Sequence, residues 1–256
     1  MVQRHYAQTR TIATVEEIDA GLRAYMNKVY ALMAGAMILT GVFAYVVGMD
    51  LKAVFRDGTE PAFLSAELLS SMYLSPFRWV LMFAPLVFVF AFAAMIHRMS
   101  TPVAQAVFWA FGAVMGISIA TIFVRFTGVS IAQTFFATAA AFGAMSIYGY
   151  TTKKDLSGWG TFLMMGVFGI IIASLLNIFI FQSGMMVMVI SAIGVLIFAG
   201  LTAYDTQRIK NEYLHYRTVP GGEAVLDKGA IMGALGLYIN FLNMFMFLLN
   251  FMGDSD

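Results

Sequence analysis

The chain contains no cysteine, which excludes a disulfide framework and any thiolate metal site and leaves the redox compartment unread. Charge is scarce too: Asp, Glu, Lys and Arg make up 11% of the 256 residues, where water-soluble domains carry about 25%. The net charge of +1 offers no attraction to nucleic acid, so a nucleic-acid partner is not expected. Phosphate-binding and zinc-protease motifs are missing: there is no Gly-rich loop ending in Lys and Ser or Thr, and no His-Glu-x-x-His. The three histidines, His5, His97 and His215, form no spaced ligand set. Serines deep in apolar segments (Ser118, Ser146, Ser174, Ser191) have no His or Lys base at their depth, which argues against an intramembrane serine protease. No enzyme is expected. The first 25 residues lack an apolar core and a small-residue cleavage site, so a cleaved leader is not expected either.

What the sequence has is apolar surface. Hydrophobic residues make up 61% of it, with 20 Met and 24 Phe, read here as lipid-facing and helix-packing side chains rather than a methionine metal relay. Seven apolar segments can be cut, at about 26–48, 77–97, 103–125, 130–150, 158–181, 185–207 and 229–252. Each is near the roughly 20 residues that cross a bilayer as a helix. The expected fold is an all-α integral membrane protein: a polar tail over 1–25, then a seven-helix bundle over 26–252, with the lipid bilayer as its first partner. Turn residues and charges mark the breaks at Ser100-Thr-Pro102, Thr127-Gly128, Lys153-Lys-Asp155, Gln182-Ser-Gly184 and Pro220-Gly-Gly222. Within 62–73, Phe63, Leu64, Leu68, Leu69 and Met72 fall at helical spacing and suggest a helix lying in the interface.

Lys and Arg set the orientation. Eleven lie on the side of the N-terminus and four opposite, namely Lys52, Arg56, Arg78 and Arg125. That bias places the N-terminus in the cytoplasm and the C-terminus outside. Small-residue pairs at Gly112-xxx-Gly116, Ala139-xxx-Gly143 and Gly229-xxx-Gly233 read as close packing within one bundle more readily than as a dimer seam. A monomer or a weak homodimer is expected. Seven spans do not divide into two equal inverted halves, which disfavours a repeat-built transporter.

Asp205 ends the apolar run that begins near Met185, and it is the one carboxylate expected inside a membrane helix. An intramembrane acid costs a few kcal/mol or more unless paired, hydrated or protonated, and so marks a functional site. Two readings stand at this point. Asp205 is hydrated at the helix end and paired with Arg208 one turn on, or it lines a polar path as an ion ligand or gate. Partners for the second reading are Asn240 and Asn243, three apart and near one face of the seventh span, and Asn177 in the fifth. Buried amides need hydrogen-bond partners. Ca²⁺ takes six to eight oxygens, so one carboxylate and two amides would make Asp205 part of a weak, wet metal site suited to passage. Arg78 either snorkels to the headgroups or reaches inward as a latch for a carboxylate.

Four stretches are familiar in words: Gly116-Ile-Ser-Ile-Ala-Thr-Ile-Phe123, the run from Thr134 to Ser157 containing Phe-Gly-Ala-Met-Ser-Ile-Tyr-Gly-Tyr-Thr-Thr-Lys-Lys-Asp-Leu-Ser, Ala203-Tyr-Asp-Thr-Gln-Arg-Ile-Lys210, and Gly233-Ala-Leu-Gly-Leu-Tyr-Ile-Asn-Phe-Leu-Asn-Met-Phe245. Together they resemble the Bax inhibitor-1 (TMBIM or YccA-like) family over nearly all the chain from about residue 20. The resemblance implies a seven-helix bundle with its last helix near the centre. It implies, for some members, a pH-sensitive Ca²⁺ leak controlled by two facing Asp residues on the sixth and seventh helices, with no cofactor beyond the permeant ion. In eukaryotic relatives it implies suppression of cell death; in a bacterial branch, association with a membrane-embedded AAA protease. A regulatory protein working through 1–25 and 208–228 is therefore the alternative function. The YccA-like flavour points to a bacterial inner membrane. Asp205 takes the first Asp position. The second falls in Leu237-Tyr-Ile-Asn-Phe241, where Asn240 replaces the carboxylate. Two close carboxylates share a proton; an Asp–Asn pair titrates as one acid, so any leak here is expected to be weaker or less pH-dependent.

Overall fold

The structure, a computed structural model, describes residues 15–254. It is built of helices and turns, with no strand among the described residues: α1 (Val15–Lys52), α2 (Ala66–Tyr73), α3 (Phe77–Met95), α4 (Thr101–Ile119), α5 (Ile122–Arg125), α6 (Gly128–Thr151), α7 (Ser157–Leu176), α8 (Gly184–Thr218) and α9 (Glu223–Met252). Seven stretches are long and apolar enough to cross a membrane, at 18–57, 77–98, 101–125, 128–151, 157–181, 184–218 and 225–252. Three helices overrun their apolar segments, α9 by starting at Glu223 and α1 and α8 by more. α1 takes in residues 15–25 of the expected tail, and residues 1–14, with His5, lie outside the described residues. α8 runs to Thr218 over 35 residues, about 52 Å at 1.5 Å per residue, so it outreaches the headgroups. Hydropathy marks only the part of a helix in hydrocarbon; the backbone ladder continues into water at little cost. Seven crossings put the start of α1 and the end of α9 at opposite ends of the bundle, called here the near end and the far end.

Local chemistry sets the breaks. Thr127 Oγ1 accepts from the Ser130 amide at 3.1 Å to open α6, Ser183 Oγ does the same for Met186 in α8, and Ser65 Oγ for Leu68 in α2. These are N-caps that satisfy otherwise orphaned amides. The α1 helix ends in a π-helical turn over 53–57, closed by Gly58 at φ 66, a left-handed conformation that glycine adopts without steric cost. Pro85 sits inside α3 and has no N–H to give the Leu81 carbonyl one turn back. That carbonyl instead accepts from Ser118 Oγ of α4 at 2.9 Å. The repair joins the two helices. The expected interfacial helix at 62–73 is α2, which buries Leu69 against Val47, Leu51 and Ala120.

The α9 helix is the axis. It packs on α8, α1, α6 and α4 and buries Ile231, Leu235, Tyr238, Phe241 and Leu249 among others. By contrast α3 and α7 turn Val87, Phe90, Phe162 and Phe168 outward, as a lipid-facing surface does. The small-residue pairs divide. A Cβ on Gly112 would stand 2.8 Å from the Ala36 carbonyl and one on Gly116 2.5 Å from that of Thr40, so this pair seats α4 on α1. Gly229 and Gly233 face Tyr25 and Ile209 in the same way, whereas Gly143 meets nothing within 4 Å. Its expected packing partner is absent because α1 and α6 stand apart there, with a groove lined by Met26, Tyr30 and Gly143 between them.

Candidate functional site

Asp205, Gln207, Arg208 and Lys210 are divided between two tasks at the near end. The first is to tie down the α6–α7 connection. Gln207 Oε1 accepts from the Leu156 amide and its Nε2 donates to the Lys154 carbonyl, both at 2.8 Å. Lys210 Nζ donates to the Tyr150 carbonyl at 2.8 Å. Within that loop Asp155 caps the Ser157 amide at 2.9 Å, and the hydrogen bonds from Ser157 hold its carboxyl below the usual carboxylate range. Where α6 meets α8, a Cβ on Gly149 would stand 2.2 Å from the Ala203 carbonyl. This close seat fixes α8 two residues before Asp205.

The second task concerns Asp205 itself, which is buried between α8 and α9. Asn240 Nδ2 donates to Asp205 Oδ2 at 2.6 Å, and Arg208 Nη2 lies 3.0 Å from Asp205 Oδ1. Both carboxylate oxygens are therefore held by side chains, one of them from another helix. Arg208 is half exposed, stands over the Tyr204 ring at 5.8 Å, and reaches Glu212 at 3.6 Å. Beside it opens a near-end cleft of about 290 Å³ lined by Tyr204, Gln207, Arg208, Glu212 and His215. On the other side of Asn240 the interior is filled by aromatic pairs: Phe142 on Phe241 at 5.5 Å, Phe135 on Phe241 at 5.6 Å, and Phe198 on Phe247 at 5.8 Å. Two residues towards the near end from Asn240, Tyr238 shares a 2.6 Å hydrogen bond with Thr40, which pins α9 to α1.

The other proposed members of the site are elsewhere. Asn177 exchanges hydrogen bonds with the Ser183 backbone at 3.2 and 3.0 Å and so closes the turn between α7 and α8 at the far end. From there to Asp205 is about 30 Å of helix. Asn243 is half-buried and donates to the Ile239 carbonyl of its own helix at 2.8 Å, so of the three asparagines only Asn240 reaches Asp205. Arg78 is exposed at the far end, over the Trp79 ring at 5.4 Å; the cation that reaches Asp205 is Arg208. No group of three His, Cys, Asp or Glu side chains suited to a metal ion occurs among the described residues.

Asp205 is also not the only buried acid. Asp50, 1% exposed, accepts from three consecutive amides, Ala62 and Leu64 at 2.7 Å and Phe63 at 2.9 Å. The apolar run that ends near residue 48 leaves Asp50 in an expected loop, but α1 stays helical to Lys52. The signal was present in Val47 and Leu51, which flank Asp50 at helical spacing on the buried face.

The sequence pattern of the family described as inhibitor of apoptosis-promoting Bax1 matches residues 22–256. A protein of Caulobacter vibrioides is 41% identical over 93% of this chain and 91% of its own length. One of Rickettsia prowazekii is 39% identical over 96% and 97%. The inner membrane protein YbhL of Escherichia coli is 38% identical over 92% and 93%. With its seven apolar helices, the chain is a multi-pass protein of a bacterial inner membrane. It belongs to the Bax inhibitor-1 family.

Proposed function

We propose that the protein is a passive, pH-modulated cation leak, with Ca²⁺ as the permeant ion, Asp205 and Asn240 as its gate and Arg208 as the latch. The observation that carries this reading is the way Asp205 is held: a buried carboxylate whose two oxygens are taken by the Asn240 amide and the Arg208 guanidinium. Both holders are side chains that can leave without any backbone unfolding. A cation arriving through the near-end cleft competes with Arg208 for the same charge. Asn240 now presents its NH₂ to the carboxylate; turned about its amide axis, it would present an oxygen, the atom Ca²⁺ requires. The aromatic pairs beyond Asn240 make the described arrangement a closed one. Protonation of Asp205 removes both the ion ligand and the anchor of the latch, so Asp205 is the group through which pH reaches the gate itself. The excess of Lys and Arg at the near end favours a cytoplasmic location for the cleft.

The test is Ca²⁺ flux into proteoliposomes across several pH values, for wild type, Asp205→Ala and Asn240→Asp. A weak wild-type flux with a one-proton pH profile is expected, flattened by Asp205→Ala. Asn240→Asp is expected to steepen it, because two carboxylates at this spacing share a proton. Flux no greater than that of empty liposomes for all three proteins overturns the reading.

A further inference from the structure

A second polar cluster lies at the far end, where the gate has no part. There α1, α2, α3, α4 and α5 line an open-sided cavity of about 570 Å³, within the size range of small-molecule sites. Its body is apolar, with Leu51, Leu74, Met82 and Val124 among the lining residues, and its two charged lining residues are Arg78 and Arg125. No carboxylate lines it. Neither arginine has a carboxylate partner among the described residues. Each instead lies over the ring of the next residue, Arg78 over Trp79 at 5.4 Å and Arg125 over Phe126 at 5.1 Å. A guanidinium resting on a ring keeps its N–H edge free for an oxyanion.

The walls are already built. Tyr73 donates to the Ile117 carbonyl at 2.6 Å, and burial pushes its phenol up to about 12, so it remains a donor and is fully used. Ser118 is spent on the Leu81 and Val114 carbonyls. Asp50 fixes the connection into α2. What is left unpaired is an apolar hollow with two cations, at the level where Trp79 and the amphipathic α2 mark the membrane interface. Simple snorkelling would need the arginines but no hollow behind them.

The geometry points to a bound phospholipid of the surrounding leaflet, with one acyl chain in the hollow and its phosphate between Arg78 and Arg125. Two positive charges with no lining carboxylate favour a net-anionic headgroup over a zwitterionic one. The site does not depend on the reading of Asp205.

Native mass spectrometry of the detergent-solubilised protein tests this, with phosphatidylglycerol and phosphatidylcholine of identical chains added in turn, and inorganic phosphate as a third probe. Wild type should retain one phosphatidylglycerol in preference to phosphatidylcholine. The double variant Arg78→Gln/Arg125→Gln should lose about tenfold or more in phosphatidylglycerol affinity, the scale of one charge-assisted hydrogen bond, and with it the headgroup preference. Val124→Trp, which fills the hollow and leaves both cations, should weaken both lipids. Melting temperatures show whether each variant is folded. Equal retention of the two lipids by wild type, or retention unchanged in the folded double variant, overturns the proposal. Binding of inorganic phosphate that Val124→Trp leaves intact, with no lipid retained, overturns it in favour of a free-anion site.

Discussion

Among the described residues two carboxylates are buried, at opposite ends of the bundle, and they are held in opposite ways. Asp50 at the far end is gripped by three consecutive backbone amides. Asp205 towards the near end is gripped by one amide side chain and one guanidinium. Releasing Asp50 means unfolding the connection between α1 and α2, whereas releasing Asp205 takes only rotamer changes, which are fast when a side chain is partly exposed. Arg208 is such a side chain, at 43% exposure. A buried ion pair is weak grounds for stability but well suited to a switch. The comparison makes Asp50 a pin and Asp205 a movable part.

The largest effect should come from pulling the pin. Asp50→Ala leaves three amides without an acceptor, each costing about 1–3 kcal/mol where water is excluded. A loss of about 3 kcal/mol or more is expected in thermal or denaturant unfolding in detergent, with Asp50→Asn intermediate because one acceptor oxygen survives. If Asp50→Ala melts with wild type, the two acids are not held differently and the comparison collapses. The next effect belongs to the latch. Arg208→Ala should cost about 1–2 kcal/mol, discounted for the exposure of the guanidinium, and should raise Ca²⁺ flux. Adding Asp205→Asn should recover part of that stability, since the orphaned charge is gone. A double-mutant cycle with no coupling would mean that the 3.0 Å contact carries no energy.

The sequence shows the part of the molecule that hydrocarbon governs and hides the part that local hydrogen bonding governs. Seven helices were legible because crossing about 30 Å of lipid demands some 20 apolar residues each, and nothing else in a chain looks like that. The overrun of α8 to Thr218 was not, since helix outside the hydrocarbon leaves no hydropathy signal. Asp205 stood out as an acid in an apolar run, and its pairing with Asn240 followed from the resemblance. The role of Gln207, clamping the Lys154–Leu156 backbone, could not be read, because its partners are main-chain atoms some fifty residues away. Asp50 is hidden differently: its amide partners lie only 12 to 14 residues on, but it stands just past the apolar run that ends near residue 48, in a stretch of α1 that hydropathy does not mark.

Asn177 offers the smallest effect and a clean contrast. It shares its chemistry with Asn240, an amide buried in a membrane helix, yet Asn177 bonds back to the Ser183 backbone of its own turn, while Asn240 bonds across to another helix. Asn177→Ala removes two neutral hydrogen bonds from the start of α8 and should cost about 1 kcal/mol, because Ser183 still caps the Met186 amide. Since about 30 Å of helix separates it from Asp205, the pH response of Ca²⁺ flux should match wild type. Unchanged flux with slightly lower stability confines the gate to the Asp205 end. A shifted pH response in a folded Asn177→Ala protein would mean that α8 transmits its far-end turn to the carboxylate, so that the two ends of the bundle work as one device.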